Sequence, residues 1–261
     1  MAQYTQRPMR FPENILQAIC ERFLPTACIV CQQFQDYSIC NNCLGALRDD
    51  GLFNYQCCYQ CGITLQPEEI SQQHCAPCQI SEPYFDETYC LDRYTGILQE
   101  PLHEFKYQKR IAFGHALSST WNALFSMQLE NIDASYLLPV PLSIQKLSQR
   151  GFNQSWEIAK RIDCRKYIQK SPYILQRHHY PEHQAGSSIE NRHQSIRGMF
   201  YIQEKYIEKI QHKTVIVFDD VMTSGATLNE IARVLKDNGV SRVINWVLLR
   251  AARPIERAQH V

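Results

Sequence analysis

Asp219 and Asp220 stand side by side after the apolar run Thr214 to Phe218, and Thr223-Ser224-Gly225-Ala226-Thr227 follows two residues later. Backbone amides of Thr223 to Thr227, with the hydroxyls of Thr223, Ser224 and Thr227, suit an anion at the start of the next helix. Gly225 permits close backbone approach there. Two carboxylates are not drawn to a phosphate, so their chemistry is different: accepting hydrogen bonds from the vicinal hydroxyls of a sugar, or holding a divalent cation beside it. An ordinary helix cap needs neither the acid pair nor the glycine. A Walker A loop is excluded, because no Gly-Lys-Ser/Thr ending is present.

A second set of residues lies far upstream. Cys28 and Cys31, Cys40 and Cys43, Cys58 and Cys61, and Cys75 and Cys78 form four pairs, each with two residues between its cysteines. Each pair can present two thiolates to one tetrahedral ion, and two pairs close a structural site, so eight cysteines imply two zinc ions. Sequential pairing spans connections of eight and thirteen residues. That arrangement is preferred, although an interleaved cross-brace is also sterically open. Cys20, Cys57, Cys90 and Cys164 fall outside the pattern and read as small buried hydrophobes.

The 261 residues and formal charge of +1 conceal an asymmetry. Residues 1 to 90 hold four Arg, no Lys and ten Asp or Glu, a balance of −6, whereas the remainder carries 23 Lys or Arg against sixteen acids, a balance of +7. An anionic ligand therefore belongs to the second half, and the acidic first half disfavours a broad phosphate-contacting face. Eleven of the twelve cysteines precede residue 91. That density argues for metal before disulfide and, with no apolar run of membrane-spanning length or signal-like start, for a cytoplasmic location.

The positioning elements follow in order. Residues 11–24 predict a short amphipathic helix with Ile15, Leu16, Ile19 and Phe23 on its stripe. Residues 81–93 read as a polar connection, and Ile111 to Phe125 as a helix. Lys106, among aromatics, is a candidate phosphate-facing cation or a surface charge. Tyr136 to Pro141 reads as a strand, Leu142 to Gln149 as a turn, and Arg150 as the better candidate for a second anion site because of its planar fork, with Lys146 also in the turn. Residues 172–200 suggest a mobile cover over a substrate. The strand 214–218, the helix 226–237 and the strand 241–249 complete an alternating pattern, which predicts an α/β domain with a mostly parallel sheet.

Taken together, the cysteine pairs, Leu138-Pro139-Val140-Pro141, Arg150-Gly151-Phe152-Asn153-Gln154, the Arg192 to Phe200 segment and Asp219 to Thr227 resemble the ComF (competence protein F) family over nearly the whole chain. The last stretch alone resembles the phosphoribosyl diphosphate signature of type I phosphoribosyltransferases. The sequence departs from the family at Ser195, where an Asn is usual. The resemblance implies a double zinc ribbon within residues 1–88 and a phosphoribosyltransferase-like domain over 89–261. It implies phosphoribosyl diphosphate and Mg as ligands, with residues 223–227 holding the 5'-phosphate, Asp219 and Asp220 the ribose hydroxyls, and Arg150 with Lys106 the diphosphate. It also implies a role in DNA uptake, with single-stranded DNA and a helicase-like protein as partners. The alternative is a non-catalytic binding module on the same fold.

Overall fold

A computed structural model describes residues 26–129, 132–178 and 196–252. The expected helix at 11–24, and the part of the expected cover that contains Arg192 and Ser195, lie outside the described residues. At the N-terminal side, β1 (Thr26–Ala27) and β2 (Phe34–Gln35) form a small antiparallel ladder, followed by α1 (Asn41–Asp50) and α2 (Ala76–Ile80). The remainder alternates strand and helix. Its elements are β3 (Glu87–Arg93), α3 (Gln99–Tyr107), α4 (Ile111–Leu129), β4 (Tyr136–Pro139), α5 (Ile144–Arg150), α6 (Gln154–Ala159), β5 (Gln169–Lys170), β6 (Leu175–Arg177), β7 (Phe200–Ile202), α7 (Ile207–Ile210), β8 (Thr214–Met222), α8 (Ala226–Asp237) and β9 (Arg242–Arg250).

The main sheet has the order β3-β9-β8-β4-β5, and every pair in it is parallel. β8 is the middle strand. It is buried on both faces, as its unbroken apolar sequence requires. Alternation along β8 divides the core into two layers. Ile216 and Phe218 face a cluster with Phe105, Trp121, Phe125 and Ile158 from α3, α4 and α6. Val215 and Val217 belong to the opposite cluster with Leu228, Ile231 and Leu235 of α8 and with Phe200 and Ile202 of β7, which pairs antiparallel with β6. Each such fully buried side chain contributes about 1.5–3 kcal/mol of transfer free energy, so the strand is fixed in register by both layers.

The cysteine pairs join these same layers. Cys28, Ile29, Ile39 and Leu47 pack into the α3–α4 side, and Cys58, Cys61, Cys75 and Cys78 into the α8 side. The two small modules thus clasp opposite faces of the sheet.

Three elements differ from the sequence expectations. Residues 87–93, read as connection, form β3, whose polar residues are matched inside: Glu87 Oε1 accepts from Arg242 at 2.6 Å, and Thr88 Oγ1 accepts from Asn245 Nδ2 at 3.1 Å. The expected turn at 142–149 is mostly α5, capped by the Ser143 hydroxyl, which accepts from the Lys146 amide at 3.3 Å. β8 extends to Met222, so Asp219 and Asp220 are strand residues and the loop begins only at Thr223. Among the described residues no helix is long and apolar enough to cross a membrane.

Candidate functional site

The end of β8 is the carboxyl end of the middle strand of a parallel sheet, where strand-to-helix loops gather ligands in open α/β folds. Asp219 and Asp220 are 9 % and 5 % exposed there. The Asp219 carboxylate accepts from the Asp220 amide at 2.9 Å and from the Ser155 hydroxyl at 3.4 Å. Asp220 is closed upon by the Lys106 ammonium, brought in from the last turn of α3. Both acids therefore meet the helix side that packs on Ile216 and Phe218, Asp219 through Ser155 of α6 and Asp220 through Lys106 of α3.

These contacts split the acids electrostatically. Burial, reinforced by the neighbouring Asp220 charge, pushes the Asp219 carboxyl well above the usual range. Burial also opposes ionisation of Asp220, but the Lys106 ammonium, together with the Asp219 hydrogen bond and the Arg150 charge, brings Asp220 below its ordinary value. The two carboxyls are therefore biased in opposite directions, with negative charge favoured on Asp220 over Asp219. A neutral Asp219 can donate as well as accept a hydrogen bond.

After Met222 the chain turns through Thr223 and Ser224, both exposed, to Gly225 at φ +81°. A Cβ on Gly225 would lie 2.7 Å from Met222 Cε, a flexible side-chain end that can give way, so it is the left-handed backbone that calls for glycine. Gly225 is the N-cap of the twelve-residue α8 and provides no side-chain cap. Ala226 is buried and its amide lies 3.4 Å from the Ser224 hydroxyl, while Thr227 is half-buried. Arg150, the last residue of α5, is half-buried with its guanidinium carbon 5.3 Å from the centre of the Tyr107 ring, and its charge also favours ionised Asp220. The structure thus gathers Lys106, Arg150, Asp219 and Asp220 about one strand end.

Sequence reasoning missed Ser155 and Arg250. The Ser155 hydroxyl is positioned because Asn153 caps α6, its Oδ1 accepting from the Trp156 amide at 3.3 Å and its Nδ2 donating to the Val140 carbonyl at 3.0 Å. Arg250 ends an apolar run, and a lone cation closing a buried strand is the signal that marks it.

The eight paired cysteines form two groups, Cys28, Cys31, Cys40 and Cys43, and Cys58, Cys61, Cys75 and Cys78, with the ligand atoms of each within 4.8 Å of one another. This is the sequential pairing. Four sulfurs placed about 2.3 Å from one ion stand roughly 3.8 Å apart, and Cys31 to Cys40 and Cys61 to Cys75 measure 3.8 and 3.5 Å. Amide-to-sulfur bonds of 3.4 Å from Cys40 to Cys28 and from Cys43 to Cys40 orient the first group. In the second, the buried Glu69 carboxylate accepts from the Ala76 amide at 2.7 Å and from the Gln66 amide at 2.9 Å, fixing the turn that presents Cys75 and Cys78. Both donor sets fit a structural tetrahedral ion.

A parallel sheet with an acid pair and a glycine turn at its middle strand defines a phosphoribosyltransferase-like domain, here preceded by two zinc-ribbon-like clusters of four cysteines each. A phosphoribosyl transferase domain model matches residues 150–260. The chain is 28% identical over 234 residues to competence protein F of Haemophilus influenzae, covering 88% of this chain and 99% of that protein. It is 22% identical over 225 residues to competence protein ComFC of Bacillus subtilis, covering 83% and 85%. A solved hypoxanthine phosphoribosyltransferase from Staphylococcus aureus is similar at 18% identity over 57% of this chain and 67% of its own, with a TM-score of 0.30. Over most of its length the chain is thus similar to these competence proteins, and its second half matches the phosphoribosyl transferase domain.

Proposed function

We propose that the chain binds phosphoribosyl diphosphate at the end of β8 and acts in DNA uptake, the role that the sequence resemblance implies and that its likeness to proteins named competence proteins supports. The observation that supports this most directly is the adjacency of the buried acid pair to the Gly225 turn. Residues 223–227 offer amides and hydroxyls to the 5'-phosphate, Asp219 and Asp220 face the ribose hydroxyls, and Arg150 is the cation for the diphosphate. Lys106, already engaged by Asp220, serves the diphosphate only by setting that carboxylate's charge.

Mg accompanying the ligand supplies charge neutralisation at the diphosphate oxygens. In transfer, the bond from ribose C1 to the diphosphate oxygen breaks, the diphosphate leaves with the electron pair, and an acceptor nucleophile forms the new bond at C1. The chain's part is to hold the ribose in place and neutralise the leaving group, so no protein nucleophile is required. Single-stranded DNA and a helicase-like protein are the partners this role calls for, in the cytoplasm. Calorimetry with phosphoribosyl diphosphate and Mg should give saturable heat for the wild type and little for the variant with both Asp219→Asn and Asp220→Asn. Equal heats from the two proteins would remove the site. Saturable binding without diphosphate release in the presence of single-stranded DNA would leave a binding module in place of a transferase.

A further inference from the structure

The buried cation that the ligand reading does not use is Arg250, the last residue of β9 and 6 % exposed. Its guanidinium joins two regions that are far apart in sequence. Nε donates to the carbonyl of Cys61, a member of the second cysteine cluster, at 2.9 Å. Nη1 donates to the carbonyls of Met222 at 3.1 Å, of Ala251 at 2.9 Å and of Thr223. Met222 and Thr223 are the residues at which β8 hands over to the ligand turn, so one planar group connects a cysteine knuckle to the entrance of the turn. The two hydrogens on Nη1 serve three carbonyls, which holds those carbonyls in one fixed convergence.

The charge points the same way. Among the described residues no carboxylate forms an ion pair with Arg250. A buried cation without a counter-charge is costly. One divalent ion held by four thiolates carries a formal charge of about −2, so a loaded second cluster supplies that counter-charge. The knuckle is seated tightly enough to transmit its state. The Thr88 amide of β3 donates to the Tyr59 carbonyl at 3.1 Å, and a Cβ on Gly62 would lie 2.6 Å from Cys90 Sγ, so the knuckle lies flush against β3, which pairs with β9.

We propose that Arg250 is a positioning residue that makes the shape of the phosphate-facing turn depend on metal loading of the second cysteine cluster. The proposal rests on the ligand reading above only for what the turn binds. The fork geometry is the active element: a lysine keeps the charge but cannot reach the Cys61 and Met222–Thr223 carbonyls from separate nitrogens.

The test is hydrogen exchange by mass spectrometry on the full chain, comparing wild type with Arg250→Lys, with metal content and phosphoribosyl diphosphate affinity measured on the same samples. Arg250→Lys is expected to keep both metal ions, to speed exchange of the amides at 223–227 about tenfold and to leave residues 28–43 unchanged. Its Kd for phosphoribosyl diphosphate should rise about tenfold, through turn geometry alone. Withdrawing the second ion from the wild type with a chelator should produce the same local acceleration without any substitution, so a variant that fails to fold does not stop the test. Unchanged exchange at 223–227 in the metal-loaded variant or in the chelated wild type overturns the proposal. The exchange readout needs no ligand. If the wild type fails to bind phosphoribosyl diphosphate while exchange responds, the ligand reading falls and the coupling stands. If the wild type binds and the variant matches it in exchange and affinity, the coupling alone falls.

Discussion

Lys106 and Asp220, 114 positions apart in the chain, form an ion pair in which the lysine side chain is 13 % and the aspartate side chain 6 % exposed. The pair ties α3 to the end of the middle strand. It also favours ionisation of Asp220 over Asp219, because the lysine sits directly on Asp220 while burial and the Asp220 charge raise Asp219.

Removing the lysine should therefore uncover a buried charge. Lys106→Met is expected to destabilise the fold by about 3–5 kcal/mol at pH 8. In the wild type Asp220 titrates below its unfolded value, so the stability it contributes is present above the ordinary carboxylate range and fades only below it. Without Lys106, burial raises Asp220 and the sign reverses, with stability falling as pH rises. The gap between variant and wild type should thus widen from pH 5.5 to pH 8 in urea titrations, and adding Asp220→Asn should recover much of the loss. A gap independent of pH would show that Lys106 acts by packing alone.

Gly225→Ala tests the turn. The left-handed conformation at φ +81° costs an alanine about 1–2 kcal/mol. The new Cβ meets Met222 Cε, the far end of a flexible side chain, which can yield. The expected result is a modest fall in melting temperature and, on the proposed ligand site, a roughly tenfold loss of phosphoribosyl diphosphate affinity, since the same strain displaces the amides assigned there to the phosphate. Wild-type affinity in a destabilised Gly225→Ala protein would separate the turn from the ligand.

What the chain reveals before folding depends on whether local pattern carries the information. The cysteine pairing is legible because ligation is written in spacing, and β8 because a middle strand must be apolar throughout. β3 is not legible: Glu87, Thr88, Asp92 and Arg93 suggest solvent, and the Arg242 and Asn245 that meet the first two inside the fold lie more than 150 positions later. α5 is hidden for a different reason. None of its residues is buried and only Ile144 and Leu147 are apolar, so its local marks are the two caps, Ser143 before it and Gly151 after it. Asp219 and Asp220 stand out by type, yet their unequal charge depends on Lys106, which no sequence period connects to them.

The two cysteine clusters should respond differently to loss of a ligand. Cys75→Ser is expected to reduce zinc from about two to about one per chain by elemental analysis, and Cys31→Ser to do the same. Stability should separate them. Cys75 is buried in the layer that contains Val215, Val217 and α8, while Cys31 is exposed. Chemical denaturation of Cys75→Ser should show the larger loss. Zinc near two per chain in either variant would contradict the four-ligand assignment.

Asp92 offers a pH signature independent of any ligand. It lies near the end of β3, 3 % exposed, with Oδ1 accepting from the Arg93 amide at 2.7 Å and the turn at Gly96 pressed against Oδ2, where a Cβ would collide with the carboxylate. Burial raises its carboxyl from 3.8 to about 6, against the opposing pull of the Arg93 amide. The folded state thus binds the proton more tightly than the unfolded state. Its contribution to stability is complete below the unfolded value and is lost as pH rises through about 6. A shift of this size corresponds to about 3 kcal/mol between the two limits. Asp92→Asn keeps an oxygen for the Arg93 amide and has no proton to lose. Over pH 5.5 to 8, wild-type stability should decline relative to the variant, with most of the change between pH 5.5 and 7. Urea midpoints that run parallel across this range would place the titration elsewhere, because any change in metal binding is common to both proteins.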